Sequence, residues 1–530
     1  MEVKLYSQIL FLCLLLFSCA HLVAYAKIEE EIKRSDFPAG FLFGAATSSY
    51  QIEGGYLEDG KSLSNWDAFC HLNGSIQNGD DGFVSVDHYH RYLEDIQILH
   101  SLGVDAYRFS ISWARVLPSG RFGEVNPVGI MFYNNIIDNL LAKGIEPFVT
   151  IHHHDYPQEL EDRYGAWLSP LMQEDFTYFA EICFKSFGDR VKHWSTINEP
   201  NLFVEMAYGR GVYPPAHCSE PFGNCSFGNS DVEPLIVMHN MLLAHGQVAK
   251  LYKDCFKSEQ GGVVGTVIHM FMYEPLTDDK LDQEAAIRAL AFNVGWALDP
   301  LIFGDYPPEM HQYLGSELPQ FSLEEIKYIN GSLDFIGVNH YSSIYTKDCT
   351  QSHCPLGGDH AIKGFTYTTG ERDGVPIGKR TGMDRFFVVP EGMEKIINYV
   401  KNRYHNMPMY VTENGYPSPQ HQTLHDTMQD LDRIEFHKAY LASLAKALRN
   451  GADVRGYFVW TLMDDFEWDH GYNIKLGLYY VDPNTLDRIP KLSSDWYKQF
   501  LSNDSLDDKW NNQGKIILKK KQKFTTICNS

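Results

Sequence analysis

The chain has 530 residues, room for several small domains or one large one, and 44% of them are hydrophobic, as in an ordinary globular protein. Its formal net charge of -23 excludes nucleic acid and anionic membrane surfaces as natural partners, because phosphate would be repelled, and favours a neutral or weakly charged substrate. Aromatic residues make up 14% of the chain, and aromatic faces suit sugar rings, although most of these rings must be core.

The segment 1–26 reads as a removed secretory signal. Lys4 supplies the positive charge, Ile9–Phe17 the apolar run and Ala24-Tyr25-Ala26 the small-residue cleavage site. No later stretch reads as a membrane span, so a soluble, secreted protein of the cell wall or vacuole is expected. Residues 27–37 are polar and are expected to form an arm. The folded domain should cover 27–505. The segment 506–530 is a basic tail (Lys519, Lys520, Lys521 and Lys523), expected to be disordered and solvated.

From Phe41 onward, short β-type runs alternate with helical patterns. The runs are Phe41–Thr47, Ala106–Trp113, Pro147–His153, His193–Asn198, Val263–Met270, Phe335–His340, Met409–Glu413 and Val454–Thr461. Helices are expected at Tyr89–Leu102, Pro127–Lys143, Leu171–Phe187, Ala285–Val294, Glu391–Tyr404 and Leu431–Asn450. In the first of these, Tyr92, Ile96 and Leu99 have the spacing of one buried helical face. Eight strands alternating with helices predict a single (β/α)8 TIM barrel with long catalytic-face loops, chiefly Cys218–Glu233 and Lys347–Arg385. A nucleotide-binding sheet is disfavoured, since Gly54-Gly55 lacks the GxGxxG spacing.

Cys218 and Cys225 lie close together in one loop, as do Cys349 and Cys354, and in an oxidising compartment each pair could close a disulfide. Cys70, Cys183, Cys255 and Cys528 read as free thiols, with Cys183 buried in its helix. Glycosylation sequons stand at Asn73, Asn224, Asn330 and Asn503.

The chemistry concentrates in two motifs, Thr196-Ile197-Asn198-Glu199-Pro200 and Val411-Thr412-Glu413-Asn414-Gly415. Each places a carboxyl at a strand end, where a barrel enzyme keeps its site. Two carboxyls roughly 5 Å apart can cut a glycosidic bond with retention, one as nucleophile and the other as acid, then base. Arg108 on the second strand is the candidate cation that keeps the nucleophile ionised. Tyr341, ending the sixth strand, could donate a hydrogen bond to the same carboxylate. Gln51, His153, Trp460, Glu467 and Trp468 cluster near strand ends and supply the planar polar and aromatic groups that hold sugar hydroxyls. The run His152-His153-His154 does not read as a metal site, because neighbouring strand residues point to opposite faces, and no cofactor is expected.

At these residues the chain resembles glycoside hydrolase family 1, the plant β-glucosidase group, over Phe37 to about Leu501. The likeness is carried by Phe43-Gly44-Ala45-Ala46-Thr47-Ser48-Ser49-Tyr50-Gln51-Ile52-Glu53-Gly54, by both glutamate motifs and by Phe466-Glu467-Trp468. The resemblance implies that Glu199 is the acid/base and Glu413 the nucleophile. It also implies that Gln51, His153, Asn198, Trp460, Glu467 and Trp468 hold the glycone, with Asn198 on its 2-hydroxyl, and that Tyr341 orients Glu413. Thioglucosidases of the family carry Gln at the acid position, so Glu199 implies an O-glucosidase. Two positions depart from the pattern: the family often has Trp where His154 stands and Phe where Leu476 stands.

Asp155–Leu160 and Cys218–Glu233 look like the plant branch that acts on phenylpropanoid glucosides such as monolignol glucosides. Phe203, Met206, Phe271 and Met272 are candidates for an apolar aglycone pocket, with core packing as the alternative. The resulting expectation is a β-glucosidase of small aromatic glucosides. The alternatives are a transglucosidase with the same site, action on oligosaccharides or other glycosides, and a non-catalytic sugar-binding protein. The partner is a small-molecule glucoside, without nucleic acid or membrane, and a homodimer stays open.

Overall fold

A computed structural model describes residues 31–355, 357–419 and 423–502. The signal segment, Asn503, the basic tail and Cys528 lie outside the described residues.

Eight strands form a closed barrel: β1 Leu42–Ala46, β2 Ala106–Ser110, β3 Glu146–His152, β4 His193–Asn198, β5 Val263–His269, β6 Phe335–Asn339, β7 Met409–Asn414 and β8 Val454–Trp460. Each strand pairs in parallel with its sequence neighbours, and β8 closes onto β1. Parallel closure requires a crossover between consecutive strands, and helices such as His88–Leu102, Pro127–Ala142 and Leu171–Phe187 supply it. The fold expected from sequence is the one observed.

Most strand ends fall within one residue of the expected ones. The exception is β2, which stops at Ser110 rather than Trp113. Trp113–Val116 turns into a short helix there, and the Ser112 amide donates to the Tyr133 hydroxyl instead of to a strand. The expected helix Ala285–Val294 starts earlier, at Lys280, where the Asp279 side chain caps it by accepting from the Leu281 amide at 2.8 Å. It then runs on through a π-helical turn, Ala291–Gly295, into Trp296–Phe303. The continuous stretch Lys280–Phe303 is long and apolar enough to cross a membrane, contrary to expectation, but 78% of its most apolar window is buried inside the protein. It is a core helix, apolar because the fold covers it. Short strands missed from sequence, Met272–Pro275, Ser343–Asp348 and Thr366–Thr369, pair in a small sheet built from the segments after β5 and β6.

The expected polar arm is fastened rather than free over its described part. Ile32 and Phe37 are buried, and the Arg34 guanidinium forks onto Asp105 at 2.7 and 2.8 Å. Inside the barrel an aromatic plug fills the layer below the site. The Phe148 ring packs edge-on against Phe335, Tyr410 and Phe458, with centroids 5.5, 5.4 and 5.2 Å away. Gly44 is required there, because a Cβ would stand 2.4 Å from the Phe458 ring.

Behind β1 and β2, Asp95 is fully buried and receives Arg488 Nε at 2.7 Å, Arg488 Nη2 at 3.1 Å and His88 Nδ1 at 2.7 Å. Burial opposes its charge, but His88 and Arg488 hold the carboxyl below the usual range. Asp95→Ala leaves Arg488 buried and unpaired. A loss of about 3–5 kcal/mol is expected, read as a lower urea midpoint with unchanged slope.

Cys218–Cys225 and Cys349–Cys354 are disulfide-bonded, and Cys70, Cys183 and Cys255 are free, with Cys183 buried. Asn73, Asn224 and Asn330 are exposed, so their side chains are accessible for modification.

Candidate active site

The site stands at the C-terminal ends of β3 to β8. Glu199 directly follows β4 and holds a left-handed conformation, φ 45° and ψ 53°, that a side-chain residue rarely adopts. Pro200, with no N–H to lose, then starts a helix. This turn stops the strand and leaves the carboxyl lining the cavity. Glu413 lies one residue before the end of β7. Gly415 lets the chain pass close to β8, since a Cβ there would meet the Trp460 carbonyl oxygen at 1.9 Å.

Register fixes a polar layer. His269 of β5 pairs with Asn339 of β6, and Asn339 pairs with Glu413 of β7. Asn339 Nδ2 donates to Glu199 Oε1 at 2.9 Å and to Asn198 Oδ1 at 3.2 Å. Asn339 is itself oriented by Thr412, whose hydroxyl donates to its Oδ1 at 2.7 Å. His269 Nδ1 approaches Glu199 Oε1 at 3.1 Å.

Glu413 has the stronger cage. Arg108 Nη1 donates to its Oε1 at 2.6 Å, and the Tyr341 hydroxyl donates to its Oε2 at 2.7 Å. Arg108 Nη2 also donates to Asn198 Oδ1 at 2.7 Å, so one buried guanidinium bridges the two glutamate motifs. Arg108 therefore partners the site rather than the barrel floor.

Burial pushes the Glu413 carboxyl up to about 7, with Arg108 pulling down and the charge of Glu199 pushing up. Burial opposes ionisation of Glu199 as well, but His269, His154 and the hydrogen bond from Asn339 hold it below its usual range. A guanidinium keeps its charge at every working pH. Fixed on Glu413, Arg108 favours the charged form of that carboxyl.

A cavity of about 430 Å³ lies between the two acids, lined by both of them and by His153, Tyr341, Trp460, Glu467 and Trp468. Gln51 and Asn198 sit just behind it. Gln51 Nε2 donates to Glu467 Oε2 at 3.2 Å, and Asn198 Nδ2 meets His153 Nε2 at 3.0 Å. The His153 ring lies nearly parallel to Trp460 and Trp468, with centroids 5.7 and 5.9 Å away. Burial pushes the Glu467 carboxyl well above its usual range, and the charges of Asp465 and Glu413 add to the rise. A protonated Glu467 both donates and accepts, which suits sugar hydroxyls.

The histidine run diverges, as expected for a strand, but not completely. His152 packs against Trp113, Trp167 and Phe176 on the outer side of the barrel. His154 leaves the strand with φ 70°, so its ring joins His153 near Asn198. Burial holds His152 near 3 and His154 near 4, and His153 also falls well below the usual range.

Sequence reading passed over His269, Asn339, Tyr213, Met383, Arg385 and Phe386. His269 and Asn339 end strands, the same signal that pointed to the other site residues. Met383, Arg385 and Phe386 come from a long loop with no periodicity to place them. Of the aglycone candidates, Phe271 lines an outer cavity, whereas Phe203 is fully buried against His152 and His154 and is core.

A closed parallel barrel carrying two buried acids on one aromatic-lined cavity defines a barrel glycosidase. The comparisons agree. The family model described as glycosyl hydrolase family 1 matches residues 33–506, and the chain belongs to this family. It is 50% identical to a rice protein described as probable inactive beta-glucosidase 14, over 94% of this chain and 96% of that one. It is 49% identical to coniferin beta-glucosidase of Pinus contorta, over 91% and 95%. A solved rice β-glucosidase variant in covalent complex with Glc superposes with a TM-score of 0.85 at 42% identity, covering 88% of this chain and 99% of that chain. The chain is a glycoside hydrolase of the plant β-glucosidase group.

Proposed function

We propose that this protein is a secreted, retaining β-glucosidase acting on β-glucosides of small aromatic alcohols. Glu413 attacks the anomeric carbon. Glu199 protonates the departing oxygen and then activates water. Tyr341 and Arg108 orient and charge Glu413. His153, Trp460, Glu467 and Trp468 hold the glycone, with Gln51 and Asn198 supporting from behind. The observation that carries the reading is the asymmetric cage: a permanent cation on Glu413 and, among the described residues, none on Glu199. Both acids are in place, which supports turnover despite the inactive label of the rice relative. Two disulfides fit secretion. The coniferin-cleaving pine relative supports a phenylpropanoid aglycone. A hydrolysis screen of coniferin-like, flavonoid, cyanogenic and oligosaccharide glucosides tests this choice. Preference for an oligosaccharide would overturn it.

A pH dependence follows. The leaving group needs a proton from Glu199, which is lost as pH rises. On unactivated glucosides kcat/KM should therefore fall on the basic side of its pH profile. Dinitrophenyl glucosides, whose leaving groups need no proton, should lack this basic limb, and the residual activity of Glu199→Gln on unactivated glucosides should lack it too.

A further inference from the structure

Beside the glycone cavity lies a larger one of about 1610 Å³, and Leu202, His269 and Arg385 line both. Phe222, Phe271, Tyr273 and Phe292 give the larger cavity aromatic walls. Its charged lining is Arg210, Lys363 and Arg385 against one carboxylate, Glu205. In a chain of net charge -23, this is a local reversal of sign.

Two of these cations are already used. Arg210 and Lys363 each sit 3.1 Å from Glu205 Oε1. Burial opposes ionisation of Glu205, but Lys363, Arg210 and Arg385 hold its carboxyl well below the usual range. Arg385 differs. Among the described residues its Nη1 reaches the Met206 sulfur, at 3.6 Å, a weak acceptor. Its guanidinium carbon lies 5.3 Å from the centre of the Phe386 ring. That ring stacks at 5.1 Å on Tyr341, which holds Glu413. Among the described residues no carboxylate forms an ion pair with Arg385. A planar fork of N–H donors is thus left at the boundary of the two cavities, one ring from the reacting centre. Its geometry matches a carboxylate.

We propose that Arg385 is a specificity-determining residue that receives a carboxylate on the aglycone. The preferred substrate is then a β-glucoside of a phenolic acid, with its free acid group remote from the glycosidic oxygen. This rests on the glucosidase reading above and sharpens it. The aromatic walls take the ring, and the fork takes the charge that the rest of the protein surface would repel.

The test compares the phenolic β-glucoside of a hydroxycinnamic acid with that of its methyl ester, and 4-nitrophenyl β-glucoside as a reference. The acid should exceed the ester in kcat/KM by roughly 10- to 100-fold, the range of one charge-assisted hydrogen bond. In Arg385→Gln the acid-to-ester ratio should fall to about 1, while Arg385→Lys keeps part of it. An acid no better than its ester in the unaltered enzyme, or a ratio unmoved by Arg385→Gln, overturns the proposal. If none of the glucosides, the nitrophenyl one included, is hydrolysed, the glucosidase reading fails. Calorimetric binding of the same acid and ester then decides the Arg385 claim separately, equal affinities counting against it.

Discussion

Glu413→Ala should lower hydrolysis of every β-glucoside by at least about 10⁴-fold, the scale on which removal of an enzyme nucleophile is felt. The substitution deletes the carboxylate that Arg108 and Tyr341 hold at 2.6 and 2.7 Å. It leaves a small space beside a buried cation. Azide or formate should enter that space, attack in place of the lost group and restore part of the rate with activated substrates. Since attack comes from the face that Glu413 occupied, the azide product should be the α-glucosyl azide. That product also shows that the variant is folded. Undiminished hydrolysis in Glu413→Ala would remove the residue from this role.

Glu199→Gln should separate substrates by leaving group. The amide keeps the hydrogen bond from Asn339 but has no proton to give. Glucosides of alkyl or unactivated phenolic alcohols should slow by about 10²–10⁴-fold, the usual contribution of general acid catalysis. Dinitrophenyl glucosides, whose leaving groups need no proton, should form the glycosyl-enzyme at nearly the original rate and then accumulate it, because water activation is also lost. Azide should speed that second step and give the β-glucosyl azide, opposite to the product expected from Glu413→Ala. Equal slowing of both substrate classes would contradict the assignment.

The barrel was readable because most strands are short runs rich in β-branched or aromatic residues, and because buried parallel strands need no alternation. β4 was placed to the residue for that reason. The helix starting at Lys280 was placed late, since its first turn is mostly polar and the Asp279 cap is its main mark. The two acids and Arg108 stood out as charges in apolar strands, a placement that burial makes costly without a partner. His269 and Asn339 obey the same strand-end logic, yet each is a polar residue with an ordinary structural explanation, and only the register across β5, β6 and β7 places them beside Glu199 and Glu413. Arg385 could not be placed at all. It sits in a loop whose course depends on the disulfide Cys349–Cys354 and the small outer sheet, both formed by contacts remote in sequence. The negative net charge pointed to uncharged substrates, while the outer cavity carries the opposite sign locally.

The most direct measurement is to inactivate the enzyme with an activated 2-deoxy-2-fluoro-β-glucoside, digest it and locate the trapped sugar by mass spectrometry. The label should fall on the peptide that contains Glu413, and on that side chain. A label on Glu199, or α-glucose as the first product of ordinary turnover, would contradict double displacement through this pair.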